Sequence, residues 1–150
     1  MGMIRQLGRE DWIAAGLRAL ATRGERALRI EPLARELCVT KGSFYWHFRD
    51  REAFCAALLD YWEHRAFAAL ACRTDRAPRA AAQMPLGRPA AGPPALAEDP
   101  AASLALEHAL RDWARRDVAA ARAWARVQTE RAAATAATAP KPAPGDSRAA

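Results

Sequence analysis

Two short amphipathic segments joined by a turn of only a few residues constrain this chain more than any other feature. The first, Glu31 to Leu37, sets Leu33 and Leu37 on one face at i and i+4, and Pro32 fits its first turn, where a missing N–H costs nothing. The second opens on small and polar residues, Val39-Thr40-Lys41-Gly42-Ser43. It passes into the aromatic block Phe44-Tyr45-Trp46-His47-Phe48 and leaves through Arg49-Asp50-Arg51. Thr40 is expected to cap this helix with its hydroxyl, and Phe44 and Phe48 to share its inner face while Lys41, Gly42 and Tyr45 point elsewhere. Two short helices so joined, the second polar and basic at its start, are what a helix-turn-helix DNA reader requires. An aromatic core clamp accounts for Phe44 and Phe48, but not for Tyr45, Trp46 and His47 filling the rest of the turn.

The flanking sequence reads as helical throughout, which makes the fold class all-α. Ile13, Leu17, Leu20 and Ala21 repeat at helical spacing within a first helix expected over 9–23, with Asp11 at its positive end and Gly24 closing it in a left-handed conformation. Asp50 is expected to cap a fourth helix with the buried stripe Phe54, Leu58, Tyr61 and Trp62. Residues 9–71 thus make a three-helix reading domain with a connecting fourth helix. Over 73–100 lie Pro78, Pro85, Pro89, Pro93, Pro94 and Pro100, a density that forbids a long helix and reads, across 72–102, as a Pro/Ala-rich linker or disordered insert. Helical spacing resumes at Ser103 with Leu106, Leu110 and Trp113. Glu107 and Arg111 stand as an i, i+4 pair, and Asp117 is a candidate cap before Ala121, Trp124 and Val127. Residues 103–134 therefore form either a helical hairpin or one bent helix, followed by an unstructured tail over 135–150.

The net charge of +6 and the pI near 10 suit a polyanionic partner. Residues 1–72 carry only 11 basic against 9 acidic groups, so the excess is not concentrated on the reading segment. Cys38, Cys55 and Cys72 have no paired spacing, which points to a reducing compartment and no disulfide framework. No leader-like segment and no apolar run of about 18 residues is present, so the expected location is cytoplasmic, without membrane association. His47, His64 and His108 are scattered; no catalytic grouping, metal-ligand pattern or cofactor motif accompanies them, and no enzymatic activity is expected.

Only the first turn and one outward face of so short a helix can enter a major groove about 12 Å wide. Gly42 and Ser43 let its backbone come close to phosphates, and Lys41 is the long cation able to reach a guanine edge. Tyr45 and Trp46 have polar tips for phosphates, and Arg49 and Arg51 suit phosphate contacts at the exit.

From about Asp11 to Tyr61 the sequence resembles the DNA-binding domain of the tetracycline-repressor (TetR) family. The resemblance rests on Gly16-Leu17-Arg18-Ala19-Leu20, on Leu33-Ala34-Arg35-Glu36-Leu37, on the Val39 to Phe48 run and on Arg49-Asp50-Arg51-Glu52-Ala53-Phe54. It implies a transcriptional regulator, usually a repressor, bound to a palindromic operator on double-stranded DNA and released by a small apolar ligand. It also implies a homodimer, provided the C-terminal region suffices to pair two copies. By position, Lys41 and Gly42 approach base edges; Thr40, Ser43, Tyr45, His47 and Arg51 hold phosphates; Arg29 contacts the backbone from the start of the second helix. Trp46 either packs or joins these contacts.

Three departures qualify the resemblance. The turn position usually held by glycine is Cys38, where a positive φ costs about 1 kcal/mol. Arg51 stands in place of the customary lysine. Beyond Cys72 the match weakens to Leu106–Asp117 and Ala121–Arg131, as expected of a truncated or frame-altered member with a reduced regulatory region. In that region Leu106, His108, Leu110 and Trp113 are the candidate ligand-pocket residues. The alternative is an interaction protein that heterodimerises with a full-length relative and no longer grips an operator.

Overall fold

A helix with one apolar stripe normally buries about half its residues, yet of the nine from Trp12 to Leu20 only Arg18 escapes burial. The cause is that this helix is covered on both sides. The computed structural model describes residues 7–73 and 100–138, and these are all-α. In chain order they comprise α1 (Arg9–Arg23), a 3₁₀ turn (Glu25–Ala27), α2 (Ile30–Glu36), α3 (Lys41–Tyr45), α4 (Arg51–Arg73), α5 (Pro100–Ala114) and α6 (Val118–Thr138). α2, α3 and the first half of α4 cover one side of α1, and α5 runs along the other.

Local chemistry sets the boundaries. At the start of α1 the Asp11 carboxylate accepts the Gly8 N–H at 2.8 Å, satisfying one of the donors a helix N-terminus leaves open. At its end the Gly24 N–H donates to the Leu20 carbonyl at 2.9 Å. Gly24 has φ 76° and ψ −177°, an extended positive-φ conformation and not the left-handed helical one expected of it. Asp50 caps α4 as anticipated: its Oδ1 accepts the Ala53 N–H at 2.7 Å. Asp117 does the same for α6, accepting the Ala120 N–H at 2.9 Å.

The second half of the described chain is a hairpin of two packed helices, which resolves the choice between hairpin and bent helix. α5 begins at Pro100, a residue suited to a first helical turn, and α6 runs on to Thr138. Both exceed the expected span. Most of the proline-rich stretch, and the tail beyond Thr138, lie outside the described residues. α6 docks on α4 through Trp62 and Trp124, whose rings stack with centroids 5.8 Å apart, and through the largely buried Glu63, which takes hydrogen bonds from Arg126 at 2.7 and 2.8 Å. Glu107 does not pair with Arg111 along its own helix; it accepts two hydrogen bonds from Arg131 of α6. A tertiary partner has displaced the local one, tying the hairpin shut.

The result is one continuous core. Trp12, Leu20, Leu33, Phe44 and Phe54 from the N-terminal helices are contiguous with Leu106, Leu110, Trp113, Ala123 and Val127 of the hairpin. No described helix is long and apolar enough to cross a membrane. α1 and α4 approach closely at Gly16, where an added Cβ would lie 2.7 Å from the Phe54 ring and 2.9 Å from Leu58. Gly16→Ala is expected to destabilise the protein by about 1 kcal/mol. Overpacking costs about 1–3 kcal/mol and outweighs the gain of about 1 kcal/mol in helix propensity. A urea unfolding midpoint equal to or above that of the parent chain would contradict the tight fit.

Candidate nucleic-acid interface

The turn between α2 and α3 is built by backbone geometry. Cys38 N–H donates to the Arg35 carbonyl at 3.1 Å and Val39 N–H to the Ala34 carbonyl at 2.9 Å. Those two bonds form a Schellman motif, which requires a left-handed residue at the position Cys38 occupies. Cys38 has φ 56°, the only positive value at a non-glycine residue among those described. The motif turns the chain sharply enough for α3 to begin three residues later. The Thr40 hydroxyl makes no capping hydrogen bond. Its backbone carbonyl accepts the Ser43 N–H at 3.0 Å instead, so the expected side-chain cap is not formed.

α3 sorts its side chains sharply. Phe44 and Phe48 are buried, and Phe44 meets Trp12, Phe48 and Phe54 with ring centroids 5.2, 5.2 and 5.5 Å apart. On the opposite side Thr40, Lys41, Gly42, Tyr45 and Trp46 are exposed, Trp46 to 89%, and Ser43 and His47 are half-buried. Arg29, just before α2, is exposed as well. Trp46 therefore does not pack into the core. Gly42 has no internal reason to be glycine: a Cβ there would meet only the Thr40 hydroxyl, at an ordinary 3.7 Å.

Three of the expected contact residues are engaged within the protein. Arg51 donates from Nε to the Leu28 carbonyl at 2.8 Å and from Nη2 to Glu25 at 2.6 Å, fastening the start of α4 to the loop before α2. Lys41 Nζ lies 3.1 Å from Glu31 Oε1, and this hydrogen bond and charge raise the lysine pKa above its ordinary value. Arg49 bonds its neighbour Asp50 at 2.8 Å, while the Ala53 N–H and then Arg49 hold the Asp50 carboxyl below the usual range. Arg18 and Arg23 of α1 reach Glu36 at 3.3 and 3.1 Å, bracing α2 from behind.

Glu31 and Arg35 had no assigned role from sequence, yet with Arg29, Pro32 and Lys41 they line an open cleft of about 330 Å³ between α2 and α3. Their outward placement was available from the helical spacing that turns Leu33 inward. The expected ligand-pocket residues do not assemble. Leu110 and Trp113 are core, His108 faces outward, and Leu106 alone borders a cleft of about 220 Å³ formed with Leu17, Tyr61, Trp62, Arg65, Glu107 and Arg131. Leu106 reaches that cleft because α5 lies along α1, a packing that spacing within one helix does not encode.

Two predictions follow from the cysteines. Cys38→Gly should raise stability by about 0.5–1 kcal/mol, since a left-handed non-glycine costs about 1–2 kcal/mol and glycine loses part of that to unfolded-chain entropy. An unchanged or lower denaturation midpoint would count against strain at this turn. Burial pushes the Cys55 thiol up to about 11, so iodoacetamide at pH 8 should label exposed Cys38 and Cys72 and spare Cys55 until the chain unfolds. Labelling of Cys55 in the native protein, read by peptide mass, would contradict its burial.

Residues 13–58 match the family model for bacterial regulatory proteins of the tetR family. No curated protein and no solved structure matches the chain. The matched span runs from the buried Ile13 of α1, through the Schellman turn and α3, to Leu58 of α4. Residues 13–58 therefore carry an N-terminal helix-turn-helix DNA-binding domain of the TetR type.

Proposed function

We propose that this protein is a sequence-specific repressor that binds a palindromic operator as a homodimer, with α3 in the major groove. The observation that carries this reading is the sorting of α3: Phe44 and Phe48 are buried while Lys41, Gly42, Tyr45 and Trp46 stand exposed beside Arg29. Gly42 adds to it. It stands second in α3, and no internal contact requires a glycine there. Close approach of the helix to a nucleic-acid backbone supplies a reason.

In this reading Lys41 reads a base edge, and Thr40, Ser43, Tyr45, Trp46, His47 and Arg29 hold phosphates. Arg51 acts at one remove: its bonds to Glu25 and the Leu28 carbonyl fix where α4 meets the reading unit. Dimerisation matters because one half-site gives little affinity above the nonspecific background. Control by a small ligand attaches most naturally to the cleft of about 220 Å³, which joins Leu17 of α1 to Leu106 of α5. Its walls combine apolar Leu17, Trp62 and Leu106 with Arg65, Glu107 and Arg131, so a purely apolar ligand is a poorer fit than an apolar body with a polar end.

Selection of binding sites from a randomised duplex library, with mass in solution measured on the same sample, tests this function. Lys41→Ala should weaken discrimination between selected and random DNA. Arg29→Ala should reduce affinity evenly and lower the salt slope by about one. A monomer that enriches no sequence would overturn the reading.

A further inference from the structure

The acidic residue beside Lys41 has a chemistry of its own on a surface that faces DNA. Glu31 sits in the first turn of α2 and Lys41 in the first turn of α3, ten residues apart, and their charged ends meet at 3.1 Å across the open cleft. Both side chains are exposed, Glu31 to 64% and Lys41 to 53%, so burial does not require the pairing. A carboxylate at this place repels phosphates. It opposes the general affinity that Arg29 and Arg35, on the same cleft, provide.

We infer that Glu31 and Lys41 act together as a reader of one G·C base pair in each half-site, with Glu31 a specificity-determining residue. An ammonium has three donors. One bonds Glu31, which leaves two, the number needed for guanine N7 and O6. The carboxylate keeps acceptor capacity for the N4 amino group of the paired cytosine, which lies beside guanine O6 on the major-groove edge. G·C thus offers two adjacent acceptors followed by a donor, and the ion pair offers the complement. An A·T pair places its donor between two acceptors and adds the thymine methyl, so the same ion pair gains fewer contacts there. Lysine alone, a freely rotating point charge, would take a phosphate as readily as a base.

This inference rests on sequence-specific DNA binding by the chain, and its test separates the two. The full chain and its Glu31→Ala, Glu31→Gln and Lys41→Ala variants are each used to select sites from a duplex library with randomised inverted half-sites. Circular dichroism serves as a check on folding. The parent chain should enrich a G·C pair at one fixed position per half-site. Glu31→Ala should lose that preference by about tenfold, as expected for a good base contact, while binding random DNA more tightly. Glu31→Gln, whose amide oxygen still accepts but carries no charge to hold the ammonium, should lose only part of it, and Lys41→Ala should lose it at the same position. Retention of the G·C preference by both Glu31 variants, with a uniform rise in affinity, would overturn the inference and leave Glu31 a shield for Lys41. A parent chain that enriches no sequence at all would overturn the proposed function, and this inference with it.

Discussion

The packing of Phe44 against Trp12, Phe48 and Phe54 is the contact on which the reading unit depends. α3 has five residues, far below the length at which a helix holds itself in water. Its backbone is fixed because Phe44 is anchored in a cage of rings with centroids 5.2–5.5 Å away, contributed by α1, α4 and the end of its own turn. Edge-on ring pairs add about 0.5–1.5 kcal/mol each beyond the area they bury. Arg9 closes the outer side, its guanidinium 5.0 Å from the Phe48 ring centroid. Trp12 Nε1 has no hydrogen-bond partner among the described residues.

Around this cage the charges are arranged in pairs. Arg18 and Arg23 share Glu36, Arg51 meets Glu25, Lys41 meets Glu31 and Arg49 meets Asp50. Five of the eleven basic groups of residues 1–72 are matched in this way by four carboxylates. Exposed pairs of this kind contribute little stability and are weakened by salt. Their geometry has the larger effect, since it decides which cations face solvent and which fasten one helix to another. Arg51 belongs to the second group, a distinction visible only once the Leu28 carbonyl is seen beside it.

Much of the N-terminal architecture was legible in the residues. Helical spacing located α1, and the Asp50 cap and the inward Phe44 and Phe48 follow from local rules that a single helix obeys. The positive φ at Cys38 falls where the family resemblance places a glycine, and the Schellman turn requires it of whatever residue stands there. What local rules could not supply is the pairing across elements. Glu107 with Arg131, Glu63 with Arg126 and Trp62 with Trp124 join residues far apart in sequence, and the first of these replaced the expected pairing of Glu107 with Arg111. The cleft of about 220 Å³ was missed for the same reason, since it exists only where four helices converge.

Because α1 lends one side to the reading unit and the other to the α5–α6 hairpin, neither neighbour owns it. Trp12 serves the aromatic cage, Gly16 admits α4, and the same helix packs along α5. A substitution in α1 therefore faces both neighbours at once, and a change that one accommodates must also suit the other. The reading head cannot be cut out along the boundary its sequence suggests without baring an apolar wall. The outward face of α3 carries no such double constraint, since its side chains meet solvent and are not packed between two helices.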